Sequence, residues 1–325
     1  MKLLITGAGG FVGGHLAAHL RQCYPEADLH GTILSDAERR PTFDSLGCAL
    51  SVVDFRDPES VRFLLARLQP DRIYHLAGQA FVPRSFEAPW ETLEINVRGA
   101  LNIFEAIRAL GLSSRVLVIG SADVYGIVKP EAIPLREESP LLPASPYGVS
   151  KAAQDLLAAQ YARSFGQHLV RVRPFNHIGP GQNVRFAASD WAMQIAEAEI
   201  GKREPVVLVG DLSAARDFTD VRDVVRAYVL ALEQGTPGDV FNVCRGVSTR
   251  METILQRLTG MSTIPIEVRP VPERMRPAEI PILQGDPSHL QERTGWQPQI
   301  SLEQSLSDIL GEWRQWVRAK SVSES

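Results

Sequence analysis

The sequence predicts an α/β fold, a doubly wound parallel sheet that carries a second, smaller C-terminal lobe. Three features predict it. The first half alternates short apolar runs with longer amphipathic stretches, the runs are rich in Val, Ile and Leu without polar alternation, and a glycine cluster separates the first run from the first amphipathic stretch. Strands covered on both faces read as continuous apolar runs. Repeated strand–helix alternation is the pattern of a doubly wound sheet.

In order, Lys2–Thr6 is a strand and Phe11–Cys23 a helix. Leu29–Leu34 and Ala49–Asp54 are strands, and Glu59–Leu68 is a helix. Arg72–Ala77 is a strand, Trp90–Leu110 a helix, Arg115–Gly120 a strand, Tyr147–Phe165 a long helix and Leu169–Arg173 a strand. After Pro174, Pro and Gly become frequent between the helical stretches Trp191–Gly201, Arg222–Glu233, Met251–Thr259 and Leu302–Val317. Asp220–Asn242 is expected to return to the sheet as a helix and a strand. This divides the chain into a sheet domain (1–174 plus 220–243), a smaller lobe (175–219 plus 244–318) and a polar, frayed tail (319–325).

The 325 residues, 44% hydrophobic and 22% charged, suffice for a large buried core. A net charge of −4 gives no basic surface for nucleic acid or an anionic membrane. No apolar run approaches the roughly 18 residues of a membrane span, and the opening MKLLITGAGG is too short for a signal-peptide core. Cys23, Cys48 and Cys244 are widely spaced and read as small core residues of a reduced compartment, so the cytoplasm is expected.

Gly7, Gly10 and Gly13 form G-x-x-G-x-x-G between strand and helix, with Phe11 and Val12 inside the motif. Glycine permits the tight turn and lets a pyrophosphate approach the backbone at the helix N-terminus. In this context the motif reads as a Rossmann dinucleotide site. The second strand ends in His30-Gly31-Thr32 with no carboxylate for an adenosine ribose, and Arg39 and Arg40 follow. That favours NADPH over NADH; the arginines could also be solvated loop charges. Asp54 and Phe55 are placed to meet the adenine.

Tyr147 and Lys151 form Tyr-x-x-x-Lys, which puts both on one helix face. A phenol with a pKa of about 10 is a poor acid–base group at neutral pH, and a nearby ammonium lowers that value by favouring the phenolate. Lys151 can also hold a nicotinamide ribose. Ser121 directly follows the strand Arg115–Gly120, 26 residues before Tyr147, and can hydrogen-bond a reacting carbonyl.

The glycine loop, His75-Leu76-Ala77-Gly78, Asn96, Ser121 and the Tyr147–Lys151 pair together resemble the extended short-chain dehydrogenase/reductase family. Arg173–Gln182 (RPFNHIGPGQ), Arg216–Val224 (RDFTDVRDV), Phe241–Cys244 and Arg276–Pro281 resemble its GDP-sugar branch. The resemblance implies Leu76, Ala77 and Gly78 at the cofactor. It implies Ser85, Ser121, Asn176, Arg216, Arg276 and Glu279 at the nucleotide sugar, the two arginines neutralising the diphosphate. Arg216 and Arg276 could instead pair with Asp217, Asp220 or Glu279. His177 reads as structural, and Trp313 and Trp316 as packing of the last helix.

The implied reaction is reduction of the C4 keto group of a GDP-linked 4-keto-6-deoxy-mannose to GDP-D-rhamnose, in a homodimer joined through Trp90–Leu110 and Tyr147–Phe165. A 4,6-dehydratase is the nearest alternative. Family dehydratases carry a glutamate two positions after the catalytic hydroxyl, where this chain has Asp123, and a Gln-Asp insert that its glycine loop lacks. Asp123 reaches about 1.3–1.5 Å less far than that glutamate, enough to lose a hydrogen bond. The other alternative, a non-catalytic dinucleotide sensor, typically lacks the Tyr–Lys pair.

Overall fold

The computed structural model describes residues 1–39, 41–274 and 280–324. The chain opens with β1 (Lys2–Thr6), α1 (Phe11–Cys23), β2 (Asp28–Ile33), α2 (Pro41–Ser45), β3 (Cys48–Val52), α3 (Pro58–Leu68) and β4 (Arg72–His75). There follow α4 (Val82–Glu87), α5 (Pro89–Leu93), a π-helical turn at Glu94–Arg98, α6 (Gly99–Leu110), β5 (Arg115–Ile119), α7 (Pro146–Phe165) and β6 (Leu169–Pro174). The second half adds β7 (Asn176–Ile178), α8 (Ala187–Glu199), β8 (Val206–Val209), β9 (Ala215–Asp220), α9 (Val221–Gln234), β10 (Val240–Val243) and β11 (Ser248–Arg250). It closes with α10 (Met251–Gly260), β12 (Glu267–Pro270), β13 (Ile282–Leu283), α11 (Ser288–Thr294) and α12 (Leu302–Glu324).

Seven strands form one parallel sheet in the order β10-β6-β5-β4-β1-β2-β3. Alternation along β1 shows why its centre, Leu3–Ile5, is continuously apolar. Leu3 and Ile5 enter the core shared with α1 and α9, whereas Leu4 enters the core shared with α3, α6 and α7. Strand order reverses between β1 and β4, and ligands of such sheets bind at the carboxyl ends of the strands at this crevice.

The expected return to the sheet is present: α9 packs with α1, and β10 joins β6 with Phe241 opposite Val172. A second core gathers around α8, α10 and α12 with Val207, Val209 and Phe218. Beside it β9 pairs with β7, β11 and β13, and β8 pairs with β12. These short strands have no counterpart in the sequence reading, because runs of two to six residues such as Ser248–Arg250 and the charged Ala215–Asp220 carry no clear apolar periodicity.

Four readings are corrected. Trp90–Leu110 is not one regular α-helix; it is broken by the π-turn around Asn96. The last helix runs on to Glu324 instead of fraying at 319, with Ser321 Oγ donating to Val317 O (2.9 Å) and the Lys320 ammonium over the Trp316 ring. Trp316 itself is 48% exposed, whereas Trp313 donates to Ser189 Oγ. Cys48 and Cys244 are core residues, but Cys23 is exposed in the last turn of α1, beside His19. Among the described residues no helix is long and apolar enough to cross a membrane, and no cluster of three or more metal-ligating side chains occurs.

Candidate active site

The glycine loop follows β1. Gly7 has φ +65°, and a Cβ there would lie 2.8 Å from the Ala77 backbone; at Gly13 it would lie 2.2 Å from Ala8 O. Only glycine serves at these two positions, one for the left-handed turn and one for close helix–strand packing. Gly10 caps α1 without a side chain, and the first turn carries no acidic residue. The amides at this N-terminus, beside Phe11 and Val12, therefore suit a dinucleotide diphosphate.

The Leu76–Gly78 turn packs on this loop. Thr6 Oγ1 accepts from Ala77 N (3.0 Å) and bonds the buried His75 at Nδ1 (2.8 Å). Thr32, at the end of β2, is buried and accepts from Gly7 N (3.3 Å). Asp54 is held by Arg56 through Nε (3.0 Å) and Nη2 (2.6 Å), which lowers its pKa, and Phe55 is buried near the His75 ring. Arg39 forms an exposed ion pair with Asp44 at 3.7 Å.

A carboxylate does stand near the end of β2, contrary to the local sequence pattern. Glu38 turns back so that Oε2 accepts from Leu34 N (3.0 Å), and a Cβ on Gly9 would meet Glu38 Cβ at 2.7 Å. The signal was Ser35-x-x-Glu38, a helix-start pattern that here opens a single 3₁₀ turn.

Ser121, Tyr147 and Lys151 converge at the carboxyl end of β5. All three are at least nine-tenths buried. Ser145 caps α7 through Gly148 N (3.0 Å) and Pro146 opens it, which fixes Tyr147 in the first turn. Burial pushes the Tyr147 phenol up, Asp123 pushes it the same way, and the hydrogen-bonded Ser121 hydroxyl pulls it back. The expected lowering by Lys151 is thus not the governing influence. Lys151 Nζ donates to Ile119 O (2.9 Å) and Gln154 Oε1 (3.0 Å), and burial lowers its pKa to about 8.

Asn96 explains the π-turn, a deviation that often marks functional helices. Its Oδ1 accepts from Gln79 N (2.8 Å), and Nδ2 donates to Gln79 O (3.0 Å) and Ser150 Oγ (2.9 Å). A Cβ on Gly78 would lie 2.9 Å from Asn96 Oδ1 and 3.6 Å from Lys151 Nζ, so the 76–78 turn, the π-turn and α7 meet at one point.

The second half closes over the first. His177 stacks on Phe11 at 6.1 Å, and His15 Nε2 bonds Pro180 O at 2.8 Å. Neither contact was legible locally. Asn176 is exposed on β7, next to the strand that bears Arg216. Arg216 does not pair with Asp217 or Asp220. Asp217 accepts from the Arg245 and Gly246 amides, and Asp220 binds Arg222 and Ser305. Arg216 Nη1 donates to Ala215 O (2.9 Å), and the guanidinium feels Asp123, as Tyr147 does. Ser85 is fully buried, its hydroxyl donating to Val82 O at 2.6 Å. Arg40, Arg276 and Glu279 lie outside the described residues.

The family profile of GDP-mannose 4,6 dehydratase matches residues 4–309. GDP-6-deoxy-D-mannose reductase of Pseudomonas aeruginosa is 38% identical over 98% of both chains. GDP-mannose 4,6-dehydratase of Vibrio cholerae is 28% identical over 94% of this chain and 92% of its own. A solved structure of RMD from Pseudomonas aeruginosa complexed with NADPH superposes with a TM-score of 0.82 at 37% identity, covering 97% of this chain and 99% of the other. Thermus thermophilus UDP-glucose 4-epimerase in complex with NAD gives 0.84 at 27% identity, covering 97% and 99%. A parallel sheet with a glycine loop at its switch point, a Ser–Tyr–Lys cluster beside it and full-length similarity to these enzymes agree: the chain belongs to the GDP-mannose dehydratase family of extended short-chain dehydrogenases/reductases.

Proposed function

We propose that this nucleotide-sugar-modifying oxidoreductase is a 4-ketoreductase that reduces the C4 keto group of GDP-4-dehydro-6-deoxy-D-mannose to GDP-D-rhamnose with NADPH. The observation that carries the reading is the buried Ser121–Tyr147–Lys151 cluster in a chain aligned end to end with a GDP-6-deoxy-D-mannose reductase.

A bound reduced nicotinamide supplies the hydride for C4. Tyr147 gives its proton to the C4 oxygen, which leaves a phenolate that the Lys151 ammonium stabilises. The Ser121 hydroxyl orients the carbonyl towards Tyr147. Among the described residues, two of the three Lys151 donors are held by the protein, which leaves the third for a ribose hydroxyl. Gly7, Gly10, Phe11, Val12 and Gly13 hold the diphosphate, with Thr32, Arg39, Arg40, Asp54, Phe55 and Leu76–Gly78 around the adenosine and nicotinamide. The substrate lobe, 175–219 plus 244–318, holds GDP through Asn176, Arg216, Arg276 and Glu279, with Ser85 near the sugar. Exposed Trp90, Val149, Leu156 and Phe165 on α5 and α7 support a homodimer through these helices.

The dehydratase is the second reading, favoured by one observation: Asp123 acts on both Tyr147 and Arg216, so a carboxylate stands at the site. Two assays separate the readings. The enzyme should oxidise NADPH with the GDP-linked 4-keto sugar and leave UDP- and dTDP-linked 4-keto sugars largely unreduced. It should form no 4-keto sugar from GDP-mannose with catalytic NADP⁺. Formation of 4-keto product in the second assay would replace the reductase with the dehydratase.

A further inference from the structure

We infer that Gln154 is a positioning residue, a neutral acceptor three residues beyond Lys151 that fixes its amine against β5 and supports its charged form. The inference rests on the catalytic assignment above. Residues at i and i+3 share a helix face. Gln154 is fully buried, and its Oε1 lies 3.0 Å from Lys151 Nζ, while Ile119 O takes a second donor at 2.9 Å. These two acceptors come from different directions, the helix and the strand end, so they define where the nitrogen sits and where its third donor points.

The usual partner of a buried ammonium is a carboxylate, and none is hydrogen-bonded to this one among the described residues. Asp155, next along α7, is held by Arg171 and Arg173. Of the other groups around Lys151, His75 from β4 interacts with it, and a Cβ on Gly78 would lie 3.6 Å from its Nζ and 2.9 Å from Asn96 Oδ1. Tyr147 shares its helix face, and Ser121 hydrogen-bonds Tyr147. His75 is neutral, pushed down to about 3 by burial and by Lys151 itself. Asp123 acts on Tyr147. Burial alone pulls Lys151 down to about 8, so near neutral pH its charge is sensitive to each acceptor that faces it.

Gln154 also carries a cost that packing does not explain. An ammonium is donor-only, so the amide must turn Oε1 towards it. The buried Nε2 is then left without a hydrogen-bond partner among the described residues. A Met or Leu of similar size would remove that orphan donor and serve a core better. The amide is therefore best explained by what its oxygen does for Lys151.

The chain has five lysines, so labelling lysine with ¹³C at Cε gives five signals, and Lys151→Arg identifies that of Lys151. Against the parent, the Lys151 titration midpoint should fall by about half a unit or more in Gln154→Met and rise in Gln154→Glu. Where ketoreduction is measured, the alkaline limb of kcat should move with it. In Gln154→Met, kcat should drop about tenfold with sugar KM little changed, while thermal stability stays equal or rises. A Lys151 midpoint unmoved in both variants overturns the inference, as does a Gln154→Met variant whose only change is lower stability. A shifted midpoint in a protein that reduces no 4-keto sugar leaves the role of Gln154 standing and removes the reductase reading instead.

Discussion

Arg173 on β6 grips Asp155 on α7, with Nε 2.9 Å from Oδ2, and the same guanidinium donates through Nη1 to the Tyr125 hydroxyl at 3.0 Å. One buried side chain thus joins the helix bearing Tyr147 and Lys151 to the turn bearing Ser121. Asp155 also receives Arg171 Nη1 at 2.6 Å. Asp155→Asn leaves two buried guanidinium groups without their counter-charge, and unfolding should cost about 3–5 kcal/mol less. Urea denaturation with parallel circular dichroism measures it; a loss under about 1 kcal/mol would mean that water or Tyr125 already balances the arginines.

Tyr147→Phe keeps the buried ring and removes the proposed proton donor. We expect kcat to fall about 10²–10⁴-fold with dinucleotide affinity little changed. Steady-state rates at saturating substrate, with cofactor binding followed by fluorescence, test this; near-parental turnover would remove Tyr147 from the acid role.

Glu38 lies beside the glycine loop; on the proposed cofactor reading its charge would oppose a 2′-phosphate and that of Arg39 would favour one. Glu38→Gln should tighten NADPH relative to NADH, and the Arg39→Ala, Arg40→Ala double variant should weaken it by about tenfold to a hundredfold, as for one charge-assisted contact. Dissociation constants for both cofactors, compared pairwise, decide it. An unchanged ratio in both variants would make all three side chains solvated bystanders.

Arg216→Ala should weaken GDP by about ten- to a hundredfold, the worth of a charge-assisted phosphate contact of roughly 1.5–3 kcal/mol. Sugar KM should suffer more than kcat, and cofactor affinity should hardly change. A variant that binds GDP like the parent but melts earlier would make Arg216 structural.

His75 is held neutral by burial, its pKa depressed to about 3 from the usual 6.5. The unfolded chain takes up this proton as pH falls below about 6.5, while the folded chain does not until near 3. Folding stability from His75 is therefore complete above the unfolded value and declines with acid, by up to about 1.4 kcal/mol per pH unit in that window. His75→Gln should flatten the difference in urea midpoint between pH 7 and pH 5. An identical slope in the variant would place the acid sensitivity elsewhere.

The apolar strands, the Gly7–Gly13 loop and the Tyr147–Lys151 pair were legible in the sequence, because their geometry follows from local periodicity and glycine sterics. So was the return of the chain through α9 and β10, announced by an amphipathic helix and an apolar run. What only the tertiary structure decided were relations across many residues. Asn96 breaks its helix to reach Gln79 and Ser150. Phe11 meets His177, Glu38 meets Gly9, and Asp123 stands between Tyr147 and Arg216 in electrostatic effect. The electrostatics of the Tyr147–Lys151 pair belong to this second class: spacing alone puts lysine and tyrosine on one face, but burial raises the phenol and lowers the amine. Desolvation depends on everything packed around a charge, and no local stretch of sequence specifies that.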